Sequence, residues 1–200
     1  MHQLRVAGVA WLICDHLKEP VDTKNVVTAC LLHDMGNIIK FKLDLFPENL
    51  KPEGLAYWQQ VQDEYRQKYG MDEHLATIEI AKEIGVSDEV LLILEKYGFS
   101  KAKITNLSRD FSFKIAAYSD HRVSPVGVVS LVERLEEARK RYVGVKYDEK
   151  SFAESADFWQ KTERQIIGLT DITPDFVTNE RVEEIIGKLG GFEVELKGGK

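Results

Sequence analysis

The stretch LLHDMGN at residues 31–37 ends an apolar run with a histidine and an aspartate side by side, and a glycine follows. Imidazole nitrogen and carboxylate oxygen are the donors a divalent transition metal takes from a protein. The pair alone says little, because neighbouring side chains on a helix diverge by about 100°. Partners must come from elsewhere in the chain. There are five histidines: His2, His16, His33, His74 and His121. His2 opens an apolar helical segment, with Arg5 one turn on. Asp120 stands late in FSFKIAAYSD, a poor place for an unpartnered charge. The order is therefore His, then His-Asp, then Asp, on three separate segments. On facing helices of a bundle, inward-pointing residues of this kind share one cation.

The elements that must carry these residues read as helices nearly everywhere. Leu4, Val6, Val9, Ala10, Ile13 and Leu17 recur at helical spacing, and Pro20 stops that segment. Asp22 or Thr23 can cap the next helix, with Gly36 placed to end it. An amphipathic helix is expected over about 53–69, carrying Tyr57, Trp58 and Tyr65 as core or interface residues. Asp72 and Ser87 cap two further helices, closed by Gly85 and Gly98. RDFSFKIAAYSDHRVSP reads as a helix stopped by Pro125. Ser130 and Glu133 have capping-box spacing ahead of LVERLEEARKRY, whose charged run reads as a solvated face. Two more helices, about 150–167 and 179–189, follow. The fold class is all-α, a compact bundle of about eight or nine helices, with room for one short C-terminal strand at FEVEL. No strand–helix alternation, internal repeat or glycine-rich phosphate loop is present.

Composition narrows the partners. The net charge is −6, which argues against nucleic acid or an anionic membrane as the main partner. Cys14 and Cys30 match no zinc or redox spacing and read as buried reduced thiols. The sequence shows no membrane span and no signal peptide, so a cytoplasmic location is expected.

The ordered set H…HD…D, with its flanks HQLRVAGVAWLICDHL, TACLLHDMGNIIK and AAYSDHRVSPVGVVSLVERLEEA, resembles the HD-domain superfamily of metal-dependent phosphohydrolases. The resemblance covers roughly residues 1–140. It implies an HD-type domain over 1–145, with 146–200 as a C-terminal helical extension packed on the same domain. It implies that His2, His33, Asp34 and Asp120 ligate one divalent metal ion. Mn²⁺, Fe²⁺, Co²⁺ or Ni²⁺ suit the donor set best, and Mg²⁺ or Zn²⁺ also fit. Two neutral imidazoles and two carboxylates balance a dication. His2 lies at a helix start, so binding of the metal is expected to order that helix.

The activity implied is hydrolysis of a small phosphomonoester by a metal-activated water, with a nucleotide as the favoured substrate. Asp34 and His74 are the candidates for proton transfer, and His74 alternatively a local helix-start residue. Arg5, Lys40 and Arg122 are the candidates for holding the phosphate. Each has a plainer reading: a salt bridge for Arg5, a solvated loop for Lys40, a helix-dipole partner for Arg122. The chain departs from the family pattern HDxGK in one place. Asn37 occupies the lysine position, and Lys40 comes three residues later. The alternative reading is therefore a catalytically silent HD-type helical binding or sensing module. Oligomeric state is left open.

Overall fold

The computed structural model describes residues 1–45 and 47–197. Among these are ten α-helices: α1 (His2–Asp15), α2 (Thr23–Leu32), α3 (Leu55–Tyr69), α4 (Glu73–Ile84), α5 (Asp88–Glu95), α6 (Ala102–Leu107), α7 (Phe111–Asp120), α8 (Leu131–Tyr142), α9 (Glu149–Ile167) and α10 (Asn179–Leu189). A two-stranded antiparallel hairpin, β1 (Val123–Ser124) and β2 (Gly127–Val128), joins α7 to α8. None of the described helices is long and apolar enough to cross a membrane.

Helix starts follow the local chemistry. Asp22 accepts the Asn25 N–H at the head of α2, and Asp110 accepts the Phe113 N–H at the head of α7. Asp72 accepts the N–H groups of both His74 and Leu75 at 2.9 Å, which fixes the start of α4. Ser130 and Glu133 form the capping box of α8. Gly85 closes α4 in the left-handed conformation at φ +85°.

Helix α1 runs through the middle. Val6, Val9, Ala10 and Ile13 are fully buried, because α2, α7 and α10 pack around it. Gly8 allows α10 to approach closely. A Cβ there would meet Val182 Cγ1 of α10 at 2.9 Å. The segment beyond residue 145 thus shares the main core: Trp159, Ile166, Val182 and Ile185 belong to the same buried cluster as α1 and α7.

Some expectations shift in detail. The helix ending at Pro125 stops at Asp120 instead. Proline disfavours the helical conformation at Ser124, and Gly127 takes φ +145°, so the chain turns into the hairpin. The helix before Gly98 ends at Glu95, and the short α6 was not expected. In the tail, Leu196 makes a single antiparallel bridge to Val86.

Candidate metal centre

The three segments singled out by residue type meet at one point. His2 stands at the start of α1, His33 and Asp34 just past the end of α2, and Asp120 at the end of α7. Nε2 of His2 lies 3.0 Å from Asp120 Oδ1 and 3.6 Å from Asp34 Oδ2. Nε2 of His33 lies 3.5 Å from Asp34 Oδ2 and 3.7 Å from Asp120 Oδ1. Donors about 2.1 Å from one ion stand roughly 3.0–3.4 Å apart at right or tetrahedral angles. The separations here run slightly wider: among the described residues His2, His33 and Asp34 each present one donor atom within 4.8 Å of the others, and Asp120 Oδ1 stands beside both histidines.

The orientation of His33 supports the same conclusion. Its Nδ1 donates to the Cys30 carbonyl at 2.7 Å. A carbonyl only accepts, so neutral His33 carries its proton on Nδ1 and aims a lone pair from Nε2 into the cluster. That Nε2 is buried and has no hydrogen-bond partner among the described residues. The ring is also held from behind by Tyr97, stacked at 5.1 Å. A buried, oriented, unpartnered nitrogen between two carboxylates fits a divalent cation.

Without a metal, protons take its place. Burial works against a charge on His33, but the carboxylates of Asp120 and Asp34 outweigh it and push the imidazole up to about 9. At 3.5 and 3.7 Å these are charge contacts, longer than hydrogen bonds. Burial likewise opposes ionisation of Asp120, yet His2 and His33 hold its carboxyl well below the usual carboxylate range.

Two devices hold these side chains in register. The first is Gly36. Its N–H donates to Thr77 Oγ1 at 2.9 Å, and the Thr77 hydroxyl donates to the Glu73 carbonyl at 2.9 Å. A Cβ on Gly36 would lie 2.1 Å from that carbonyl oxygen, so only glycine lets the 3-10 turn after Asp34 press onto α4. Gly36 therefore does more than end a helix; it makes a close approach possible. The second device is His121, next to Asp120. It is buried, donates from Nδ1 to the Ala117 carbonyl at 2.9 Å and stacks on Trp159 at 3.8 Å. The C-terminal α9 thereby braces the end of α7 that carries Asp120.

Three clefts open onto this cluster, and Lys40 and Asp120 line all of them. The first, about 670 Å³, carries His74 on its wall together with His33 and Asp34. His74 Nε2 donates to the Glu95 carbonyl at 3.2 Å, which leaves Nδ1 as an acceptor. Lys40 pairs with Glu73 at 3.1 Å. Arg5 lines none of the three clefts, although it lies one turn from His2.

Arg122 requires a correction. Arg122 is 2 % exposed, and its guanidinium donates to the Tyr118 hydroxyl and to the carbonyls of Val129, Pro174 and Val177. Those acceptors belong to the core and the C-terminal segment, so the phosphate role expected of Arg122 gives way to tying residues 174–177 onto α7. Arg134 was missed. It lies on the α8 face read as solvated, yet it lines two of the clefts beside Asp120. Its spacing in a charged run gave no signal, because the clefts exist only once α8 folds back past the end of α7.

Comparison with known proteins agrees with the geometry. A sequence-family model described as HD domain matches residues 1–111, a span that holds His2, His33 and Asp34 and stops short of Asp120. No curated protein and no solved structure matches the chain.

Proposed function

The chain belongs to the HD-domain family, and from that premise we propose that it is a metal-dependent phosphohydrolase acting on a small phosphomonoester, with nucleotides as the favoured substrates. The observation that carries the reading is the convergence of His2, His33, Asp34 and Asp120 around the unpartnered Nε2 of His33. These four residues would hold the ion. A divalent metal there supplies Lewis acidity, drawing charge from a phosphoryl group and making water a better nucleophile near neutral pH.

The protein's own residues supply the rest. Lys40, common to all three clefts, offers an ammonium to a phosphate oxygen. Its pairing with Glu73 is half-exposed and easily exchanged for a substrate oxygen. On this reading Asp34 accepts a proton from the attacking water. His74, which lines the same cleft as His33 and Asp34 and whose Nδ1 is free to accept, on the same reading shuttles a proton to the leaving group. Arg134 replaces Arg122 as the guanidinium available to the substrate.

The test is hydrolysis of a phosphomonoester panel, including nucleoside monophosphates, by protein loaded in turn with Mn²⁺, Co²⁺, Ni²⁺ and Mg²⁺. Turnover that disappears in a folded Asp34→Asn variant is the expected result. A second reading, a silent binding module, is favoured by Asn37 in the lysine position of the family pattern. Metal and phosphate binding with no turnover under any loading would overturn the hydrolase and leave that module.

A further inference from the structure

The clefts that meet at the metal centre differ in charge. The cleft on the α4 side is mixed: Lys40, Lys82 and Lys101 face Glu73, Glu79 and Glu95. The cleft of about 640 Å³ on the α8 side is lined by Lys40, Arg134 and Arg141, and its only carboxylates among the described residues are the ligands Asp34 and Asp120. The smaller cleft of about 260 Å³ adds Lys146, with Asp120 as its only carboxylate among the described residues. A metal dication would neutralise those carboxylates. What remains is a basic wall on a chain of net charge −6.

That wall is organised. Arg134 and Arg141 lie seven residues apart, two turns of one helix, or about 10 Å along α8. Both pair with the single carboxylate of Glu137 between them. Two guanidinium groups on one carboxylate leave a net positive charge and spare N–H donors. Arg134 is also anchored by its Nε, which donates to the Val123 carbonyl at 3.0 Å. Arg141 and Lys146 both pack on the ring of Tyr142, at 5.6 and 5.5 Å. Held cations cost less entropy on binding an anion than free ones.

The geometry points to the α8 side of the pocket as a second anion subsite, so that the preferred substrate carries a second phosphate or carboxylate remote from the phosphoryl group at the metal. This rests on the reading of the centre as a phosphate-ester site. Arg134 lines both basic clefts together with Asp120, and Arg141, two turns farther along α8 in the larger cleft, holds the distal anion.

The test uses two non-hydrolysable probes, an alkyl phosphonate and the alkane bisphosphonate of the same chain length. Each is titrated calorimetrically into the protein with excess Mn²⁺. The bisphosphonate is expected to bind at least about tenfold more tightly. Arg141→Gln and Arg134→Gln should each remove most of that preference, with helical content checked by circular dichroism. Arg139→Gln, which lines neither basic cleft and pairs with Glu149, should keep it. Equal binding of the two probes, or a preference that survives both arginine substitutions, would overturn the subsite. A preference without any hydrolytic activity would uphold the subsite and sink the hydrolase; turnover without the preference would do the reverse.

Discussion

Raising the pH of the metal-free protein should weaken it, and raising the pH of the metal-loaded protein should not. The cause is His33. Its imidazole is pushed up to about 9 from the ordinary 6.5, and its side chain is only 3 % exposed, so solvent screens the effect little. Each pH unit of difference corresponds to about 1.4 kcal/mol, so protonated His33 between its carboxylates contributes roughly 3 kcal/mol. A value raised on folding gives stability that is complete below about pH 6.5 and lost as pH rises through about 9. For a chain of this length that is a fall of about 6–12 °C in Tm. A metal ion needs the same nitrogen unprotonated. Metal affinity should therefore rise across the same window, by up to about tenfold per pH unit. Urea unfolding with a chelator and with excess Mn²⁺, at about pH 6, 7.5 and 9.5, separates the two slopes. A metal-free stability that is flat or rises over that range would refute the placing of His33 against two carboxylates.

Three further outcomes follow from the packing. Gly36→Ala should cost about 3 kcal/mol or more, since the new methyl meets the Glu73 carbonyl and the Thr77 backbone nitrogen rather than a movable side chain, and should also weaken metal binding; urea denaturation and metal titration read both effects. Gly8→Ala should cost about 1–3 kcal/mol in urea midpoint by pushing α10 off α1, with metal stoichiometry retained. Arg122→Gln should cost roughly 3 kcal/mol and open residues 170–190 to limited proteolysis, because the Pro174 and Val177 carbonyls lose their donor; unchanged protease resistance would contradict its role as a tie.

Much of the fold was legible because its helices announce themselves locally. Asp72, Ser87 and the Ser130–Glu133 box each cap the helix they were expected to cap. The candidate metal centre was legible because its residue types are unusual where they stand: a charge at the end of an apolar helix and a histidine next to an aspartate. What stayed hidden depended on tertiary approach. Gly36 looks like a helix terminator until α4 lies against it. Arg122 and Arg134 are both arginines near Asp120, and nothing local says that one turns into the core while the other faces the clefts. The role of His121 needs Trp159, thirty-eight residues on, to be visible.

The most direct test of the metal centre is elemental analysis of the purified protein beside folded Asp34→Ala and His33→Ala variants, each after reloading with Mn²⁺, Co²⁺ or Ni²⁺. About one ion per chain in the parent, lost in both variants while circular dichroism shows their helices intact, is the predicted result. No bound ion in the parent, or full occupancy in the variants, would contradict it.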